Sequence, residues 1–304
     1  MGGEALKRRA LVSGATGFIG EHLTRRLLSD GWEVHIVVRP SSAAVDTGVT
    51  SHTYDGTLAS MLRVVGEAHP DVVFHLASKF VAAHAPQDVE SLVNTNVLLG
   101  TQLLEGMAAS GCTRLINTGT CWQHSGDADY EPVNLYAATK QAMEDVVQYY
   151  VVARGFEAIT LQIYDTYGPG DRRNKIVSLL VKAALSGTHV GLSPGEQLLE
   201  FVYVSDVVNA YVSAAARLLE GRVCRHERYA MRAKERLSLK EIANVVERVT
   251  ERTIDVTWGE KPYREREVMV PWRLGKPLVG WSPTVGLEDG LTRVVAWELG
   301  TDDV

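Results

Sequence analysis

A glycine pattern near the start of the chain constrains the fold more than any other feature of the sequence. The apolar run 10–12 is followed by Gly14, Gly17 and Gly20, spaced three apart, and a helical pattern over 18–28 begins among them. A strand, a tight turn and a helix start in this order predict a phosphate-binding turn. Gly14 allows the sharp turn, Gly17 lets backbone N–H groups approach a pyrophosphate, and Gly20 permits close packing of helix on strand. The alternative is a glycine turn without a ligand.

The order of patterns along the first half of the chain indicates the fold class. Short apolar runs of β type alternate with amphipathic helical patterns, which is the signature of βαβ units and a parallel sheet. We therefore predict an α/β fold built on a Rossmann-type, doubly wound parallel sheet. Its strands are expected near 9–13, 33–38, 71–76, 113–118 and 157–163.

The second half of the chain has a looser pattern. Beyond residue 165, glycines and prolines separate shorter elements, which indicates a smaller second domain. We predict a dinucleotide-binding domain over 1–165, to which 201–231 returns because its apolar run and alanine-rich helix fit back against the sheet. The remaining segments, 166–200 and 232–304, are predicted to form an interleaved C-terminal substrate domain.

Composition excludes several classes of partner. The net charge of −6 argues against a nucleic-acid partner, because phosphate backbones are held by basic surfaces. No stretch reaches the roughly 18 to 20 apolar residues of a membrane span, and the first residues are interpreted as a strand and a turn rather than a signal peptide. Three distant cysteines, Cys112, Cys121 and Cys224, suggest neither a disulfide framework nor a zinc site. We expect a cytoplasmic protein that binds no metal.

The end of the second strand indicates the type of dinucleotide. Proteins that bind NAD usually carry an acidic residue there, which accepts hydrogen bonds from the adenosine ribose. This chain has Arg39, followed by Ser41 and Ser42. A guanidinium can pair with a 2′-phosphate through charge-assisted bonds of about 1.5–3 kcal/mol, so we predict NADP(H). The alternative is an arginine that points into solvent.

A tyrosine and a lysine supply a candidate for proton transfer. Tyr136 and Lys140 are four residues apart, so on a helix they share one face. A nearby ammonium favours the phenolate and lowers the phenol pKa from roughly 10, which suits acid–base work near neutral pH. Thr118 and Thr120 end the preceding strand, and we expect these side chains to converge at the carboxyl edge of the sheet, where ligands of such sheets bind.

These motifs together resemble those of the extended short-chain dehydrogenases/reductases that act on sugar nucleotides, the NAD-dependent epimerase/dehydratase family. The resemblance runs from Gly14 to about Trp297. The matching pieces are the glycine turn, Asp55-Gly56, 71–77, 96–101, Thr118, the Tyr136 and Lys140 pair, 167–170 and 201–206.

The resemblance implies roles for individual residues. Tyr136 would be the acid, Lys140 would tune it and hold the nicotinamide ribose, and Thr118 would bind the reacting oxygen. Asp55 would meet the adenine; alternatively, Thr118 satisfies a strand end and Asp55 caps a helix. The expected cofactor contacts are Gly14, Thr16, Gly17, Phe18, Ile19, Gly20, Arg39, Ser41, Asp55, Gly56, Leu76, Ala77, Ser78, Tyr136 and Lys140. The expected contacts to a nucleotide-diphosphate sugar are Lys79, Thr120, Trp122, Asp165, Arg172, Lys175 and Arg264. Each basic residue could instead be a solvated surface charge.

Departures from the family pattern narrow the expected activity. Asp165 replaces a common Asn, Leu199 replaces a common Arg, and the spacing from Asn96 to Gly100 is one residue longer than usual. Dehydratases of the family carry an Asp-Glu pair directly after the residue that corresponds to Thr118. This chain has Gly119 and Thr120 there instead. The chain is most similar in these features to CDP-abequose and CDP-paratose synthases. This implies NADPH-dependent reduction of the 4-keto group of a nucleotide-linked 4-keto-6-deoxyhexose.

Two other functions and one assembly state follow from the same features. The alternatives are a sugar-nucleotide epimerase that keeps its dinucleotide bound, and a catalytically silent NADP-binding protein that senses redox state. The helical patterns over 88–109 and 136–153 carry apolar residues outside a single stripe, which suits either a subunit interface or a wider core. In the resembling family these helices form a dimer interface, so we expect a homodimer.

Overall fold

A computed structural model describes residues 7–42 and 48–301. The chain forms two compact units. The first contains the described residues up to Thr120, together with Asn134–Gln162 and Val208–Tyr229. The second contains Cys121–Val133, Ile163–Val207 and the described residues from Ala230 onward. Among the described residues, no helix is both long enough and apolar enough to cross a membrane.

A seven-stranded, mostly parallel sheet forms the centre of the first unit. Its strands are β1 Arg9–Ser13, β2 Glu33–Val38, β3 Val49–Thr53, β4 Val72–His75, β5 Arg114–Thr120, β6 Glu157–Ile163 and β11 His226–Met231. Their order across the sheet is β11-β6-β5-β4-β1-β2-β3. β1 pairs in parallel with both β2 and β4. The chain therefore builds the sheet outward from β1 in two directions, and the switch point between β1 and β4 is where ligands of such sheets bind.

Helices cover this sheet because their apolar stripes pack on its buried residues. They are α1 Phe18–Ser29, α2 Leu58–Ala68, α3 Val89–Val93, α4 Leu99–Ser110, α5 Leu135–Arg154 and α7 Val204–Leu219. A continuous apolar core joins strand residues such as Leu11 and Val73 to α2, α4 and α5. Gly106 allows α4 to approach α2 closely, since a Cβ there would lie 2.7 Å from a methyl carbon of Val65.

A π-helical turn, Asn94–Leu98, connects α3 to α4. Such turns accommodate one extra residue in a continuous helix. This explains the sequence departure in which Asn96 and Gly100 are one residue further apart than usual. The additional residue is accommodated inside the helix, which continues from α3 into α4 without a break in helical backbone.

Short strand pairs and three helices make up the second unit. The strands are β7 Asp165–Tyr167, β8 Val190–Leu192, β9 Leu198–Leu199, β10 Phe201–Tyr203, β12 Leu237–Ser238 and β13 Val256–Trp258. β10 pairs with β7 and β13 with β8 in parallel, and β12 pairs with β9 in antiparallel. The helices α6 Ile176–Ser186, α8 Leu239–Thr250 and α9 Leu287–Glu298 pack on one another.

The predicted fold class is confirmed, and the differences concern individual elements. Three of the five predicted strands have the predicted bounds, whereas β4 is shorter and β5 extends to Thr120. The sequence analysis missed β3, whose polar sequence lacks an apolar alternation, and it did not assign β11 to the sheet. The segment Cys121–Val133 packs within the second unit, because Cys121 is buried against Tyr164 and Ala230.

Candidate active site

The glycine turn after β1 is fixed by backbone contacts that exclude any side chain. Gly14 has φ +77°, and a Cβ at this position would lie 2.6 Å from the backbone nitrogen of Ala77, which follows β4. A Cβ on Gly20 would lie 2.1 Å from the carbonyl oxygen of Gly14. Gly17 donates its own N–H to that carbonyl at 3.0 Å and serves as the N-cap of α1 without a side chain to cap it. The first turn of α1 therefore presents its backbone amides to an anion, as a pyrophosphate requires.

An open cleft of about 820 Å³ lies along this turn, entirely within the first unit. Its lining consists of Ser13, Gly14, Thr16, Gly17, Val37, Val38, Arg39, Ser42, Tyr54, Gly56, Leu76, Ala77, Ser78, Lys79, Ser91, Asn94, Thr95, Leu98 and Leu99. The volume is in the range of cofactor sites. The glycine cradle and the cleft thus fit a dinucleotide.

The predicted cofactor residues divide into two groups in the structure. Eight of them line the cleft, namely Gly14, Thr16, Gly17, Arg39, Gly56, Leu76, Ala77 and Ser78. Phe18, Ile19, Gly20, Ser41, Asp55, Tyr136 and Lys140 are not part of this lining. Phe18 is buried against His22, and Ser42 takes the lining position next to Arg39 in place of Ser41.

Arg39 lies just beyond the end of β2 in a closed turn. The N–H of Arg39 donates to the Ser42 hydroxyl at 3.1 Å, and the Ser42 N–H donates to the Arg39 carbonyl at 2.9 Å. The guanidinium is exposed and makes no ion pair with any residue in 7–42 or 48–301. The Arg39 backbone and the Ser42 hydroxyl are therefore joined in one turn, and both residues line the cleft.

Asp55 forms a local turn at the start of α2. Its carboxylate accepts hydrogen bonds from the Thr57 N–H at 2.9 Å and from the Thr57 hydroxyl at 2.7 Å, and these bonds lower the pKa of Asp55 to about 2. Thr57 in turn caps α2 by accepting from the Ser60 N–H. The neighbouring Tyr54, which the sequence analysis did not select, lines the cleft and donates to Gln102 at 2.6 Å.

Asn96 clamps the loop after β4 to helix α5. Its amide oxygen accepts from the Lys79 N–H at 2.7 Å and the Ser78 hydroxyl at 3.2 Å. Its amide nitrogen donates to the Lys79 carbonyl at 3.0 Å and the Thr139 hydroxyl at 2.9 Å. The Lys79 ammonium is bonded to Asp88 at 3.0 Å. Asn96 therefore has all of its hydrogen bonds satisfied by the protein and acts as a brace.

Thr118 and a second buried tyrosine share a hydrogen bond at the end of β5. The Thr118 hydroxyl donates to the His75 carbonyl at 2.8 Å and lies 2.7 Å from the hydroxyl of Tyr211, on α7. Burial raises the pKa of Tyr211, and the nearby phenol of Tyr136 acts in the same direction. The hydroxyls of Thr118 and Tyr211 are thus hydrogen-bonded to each other, while Thr120 ends the strand as a buried residue.

Tyr136 stands in the first turn of α5, where local contacts set its direction. Asn134 caps this helix by accepting from the Ala137 N–H at 3.0 Å, and it donates to the carbonyl of Ala82 at 2.9 Å. The ring of Phe80 packs edge-on against the Tyr136 ring, with centroids 5.0 Å apart. The predicted helix 136–153 is thereby tied to the loop that follows β4.

Lys140, one turn further along α5, is 1% exposed. Burial lowers the pKa of its ammonium to about 8, and the carboxylate of Glu144 acts in the opposite direction. Glu144 is itself buried and forms an ion pair with Arg228. Burial also lowers the pKa of His75 to about 3, with the charge of Lys140 as the second cause. A neutral imidazole and a carboxylate are therefore among the titratable neighbours of the buried ammonium.

A separate charged cluster lies in the second unit around Asp165. Burial raises the pKa of Asp165, and the positive charges of Lys175, Arg173 and Arg264 act in the opposite direction. Burial likewise lowers the pKa of Lys175. The predicted substrate residues Asp165, Lys175 and Arg264 thus interact with one another.

Two arginines of this region, Arg264 and Arg173, already form ion pairs with acidic residues of the second unit. Arg264 pairs with Glu267 through two bonds of 3.0 and 3.1 Å, and its guanidinium lies 5.5 Å from the ring centre of Trp122. Arg173 is paired with Asp171 at 2.7 Å. Arg172 is exposed and makes no ion pair within the described ranges.

Comparison with known proteins decides the family. The model of the NAD dependent epimerase/dehydratase family matches residues 10–226. The chain belongs to this family. It is therefore an enzyme of a nicotinamide-dinucleotide family, and the resemblance inferred from its motifs is confirmed.

Individual relatives agree over nearly the full length of the chain. A CDP-abequose synthase of Yersinia pseudotuberculosis is 26% identical over 264 residues, covering 86% of this chain and 91% of the relative. The structure of MoeE5 in complex with UDP-glucuronic acid and NAD is 26% identical, with a TM-score of 0.83 and coverage of 96% and 99%. The UDP-glucose 4-epimerase of Thermus thermophilus, in complex with NAD, has a TM-score of 0.84 at 24% identity, with the same coverage, and shares the fold.

Proposed function

We propose that this enzyme is an NADPH-dependent reductase of the 4-keto group of a nucleotide-linked 4-keto-6-deoxyhexose. The observation that carries the proposal is the hydrogen-bonded pair of Thr118 and Tyr211 hydroxyls at the end of β5, together with Tyr136 and the buried Lys140 one turn apart on α5. A pure binding protein needs the glycine cradle but has no use for a proton donor. The Gly-Thr pair at 119–120 supplies no acid for elimination of water, which favours reduction over dehydration.

In this mechanism the protein places and stabilises charge. A dinucleotide held in the cleft would supply the hydride. Tyr136 gives its phenolic proton to the oxygen that becomes the new hydroxyl, and Thr118 donates a hydrogen bond to the same oxygen. Lys140 keeps a positive charge beside the phenol, which favours the phenolate formed when the proton has left. The product is the 4-hydroxy sugar, with one hydride and one proton added.

The preference for NADPH rests on Arg39. Arg39 and Ser42 both line the cleft, and the Arg39 N–H donates to the Ser42 hydroxyl; the exposed guanidinium and this hydroxyl are both suitable donors to a 2′-phosphate. An acidic residue at this position would favour the ribose hydroxyls of NAD instead. The solved relatives described above hold NAD, so this chain would differ from them in its cofactor.

The substrate class rests on the relatives and on the cluster in the second unit. CDP-abequose synthase is among the similar proteins. We assign Lys175 and Arg172 to the substrate phosphates, because both are basic residues of the segment that follows β7 in the second unit. Trp122, under the Arg264 guanidinium, offers an aromatic face to the nucleotide.

One assay tests the proposal directly. NADPH and NADH oxidation would be followed at equal concentration with a panel of CDP-, dTDP-, GDP- and UDP-linked 4-keto-6-deoxy sugars. We expect steady NADPH consumption with one nucleotide series and conversion of one NADPH for each ketone reduced. Absence of oxidation with every member of the panel would refute the reductase assignment.

An epimerase is the second candidate, favoured by the close structural likeness to UDP-glucose 4-epimerase. An epimerase returns the hydride to the sugar, so the oxidation states of the sugar and of the dinucleotide are unchanged after each turnover. Incubation with UDP-glucose without added dinucleotide distinguishes the two functions. Formation of a C4 epimer with no net change in absorbance of the dinucleotide would establish epimerisation.

We also propose a two-fold symmetric homodimer. Apolar side chains are exposed on the two helices that the sequence analysis selected, with Val93 42% exposed on α3, and Tyr149 57% and Val152 69% exposed on α5. Covering them in a partner would remove this apolar surface from water. We expect sedimentation at dimer mass, and monomer mass for Val152→Glu. Val279→Glu, at an equally exposed valine of the second unit, is the control and should remain dimeric.

A further inference from the structure

We infer that Tyr211 is a positioning residue that holds the oxygen of Thr118 and directs the Thr118 hydroxyl hydrogen toward the reacting oxygen. The inference rests on the proposed function, in which Thr118 binds that oxygen. Tyr211 carries no motif in the sequence and lies 93 residues from Thr118 along the chain.

Counting hydrogens assigns the direction of the bond between them. A threonine hydroxyl has one hydrogen, and in this structure Thr118 donates it to the carbonyl of His75 at 2.8 Å. A carbonyl can only accept. The 2.7 Å contact between Thr118 and Tyr211 therefore requires the Tyr211 hydroxyl to donate to the Thr118 oxygen. Tyr211 is the donor at one end of a chain that runs through Thr118.

The environment of Tyr211 keeps it a donor and prevents it from being the catalytic acid. Its side chain is fully buried on α7, and Thr118 is its hydrogen-bond partner. Burial raises the pKa of Tyr211, so its phenol stays protonated over the range in which the enzyme works. A fully buried phenol does not reach a substrate, so its influence on the reaction passes through the Thr118 oxygen.

This arrangement lets the Thr118 hydrogen change acceptor while the oxygen stays in place. Rotation about the Cβ–Oγ bond moves the hydrogen from the His75 carbonyl to the oxygen of a bound ketone. The hydrogen bond from Tyr211 persists in both states and polarises the Thr118 hydroxyl, which strengthens it as a donor. Without Tyr211, the Thr118 oxygen would lose its anchor, and the hydroxyl would be both less fixed and a weaker donor.

A double-mutant cycle in protein stability tests the hydrogen bond itself and needs no substrate. Thr118→Val keeps the branched shape but leaves the buried Tyr211 hydroxyl without a partner, which is more costly than losing both groups. Tyr211→Phe keeps the ring. We expect Thr118→Val to raise the unfolding equilibrium constant about tenfold or more. Adding Tyr211→Phe to that variant should lower the constant again by about threefold or more.

The same variants, measured in turnover, test the role in the reaction. We expect Tyr211→Phe alone to lower kcat about three- to tenfold with the KM for the sugar within about twofold, because the anchored donor acts on the developing charge. In the Thr118→Val background the same change should alter kcat by less than about twofold. Thr118→Ser, which retains a hydroxyl, should restore the sensitivity to Tyr211→Phe.

Tyr150 provides the matched control for Tyr211. Tyr150→Phe removes a buried tyrosine hydroxyl of the same unit that bonds to Glu105; it should lower stability by similar factors in both Thr118 backgrounds and leave kcat unchanged. Additive stability effects of Thr118→Val and Tyr211→Phe would overturn the inference whether or not any sugar nucleotide is turned over. Equal loss of kcat on Tyr211→Phe with and without the Thr118 hydroxyl would also overturn it. A wild-type enzyme that is inactive with every member of the substrate panel contradicts the proposed function instead.

Discussion

Replacing Lys140 by Met should make the protein more stable near pH 7 while it abolishes turnover. Lys140 is 1% exposed, and burial lowers the pKa of its ammonium from 10.5 to about 8. At about 1.4 kcal/mol per pKa unit, this difference corresponds to about 3 kcal/mol by which the buried charge opposes folding. Met has a similar length and no charge, so it removes this cost and leaves the Glu144–Arg228 ion pair intact.

The same shift fixes how the effect depends on pH. The folded protein binds this proton less tightly than the unfolded chain. Wild-type stability should therefore rise as the pH increases from about 8 to about 10.5. In this range the folded state has already released the proton, whereas the unfolded chain still holds it. Lys140→Met lacks this titration. Its advantage should be largest, up to about 3 kcal/mol, below pH 8 and should decrease steadily as the pH approaches 10.

Urea unfolding at several pH values between about 7 and 10 measures both effects. Lys182→Met is the control, since Lys182 is half-exposed on α6 and forms a loose ion pair with Glu298 at 3.7 Å; its effect should stay below about 1 kcal/mol without a trend in pH. The reasoning is refuted if Lys140→Met is less stable than wild type near pH 7, or if the difference between the two is the same at all pH values.

Three further predictions concern the catalytic acid, the cofactor and the glycine cradle. Tyr136→Phe should lower kcat about 10²–10⁴-fold with NADPH affinity within about twofold, and an enzyme that keeps a third of its rate would rule out Tyr136 as the acid. Arg39→Asp should shift preference from NADPH to NADH in dinucleotide titrations; equal wild-type affinity for both would contradict the assignment. Gly20→Ala should weaken dinucleotide binding and destabilise the protein by about 1–3 kcal/mol, because the new Cβ overlaps the Gly14 carbonyl. Gly66→Ala, on an open face of α2, should instead be neutral or stabilising.

Features that depend on neighbours in the sequence were predicted correctly. Three strands have their predicted bounds, because turn residues lie at the ends of their apolar runs. They are Arg9–Ser13, Glu33–Val38 and Glu157–Ile163. The glycine spacing predicted a turn in which Gly14 and Gly20 tolerate no side chain. By contrast, β3 was missed, since Thr50, Ser51 and Thr53 give it little apolar character and pairing with β2 is what makes it a strand.

The extra residue between Asn96 and Gly100 illustrates a middle case. The additional residue is visible in the sequence, but its structural role is not. In the structure a π-helical turn accommodates it, and Asn96 links the Lys79 backbone and the Ser78 hydroxyl to Thr139. That brace joins residues up to 43 positions apart, so no local pattern could reveal it.

The sequence by itself determined the fold class, the glycine turn after β1 and the helix face shared by Tyr136 and Lys140, because strand and helix periods convert spacing along the chain directly into position. Only the tertiary structure decided the pKa of Lys140 and the hydrogen-bond partners of Thr118. Burial of Lys140 depends on distant packing and lowers its pKa to about 8, and Tyr211 reaches Thr118 from a helix far along the chain. Electrostatic and hydrogen-bond energies depend on distance in space and on solvent exposure, neither of which is written in the order of residues.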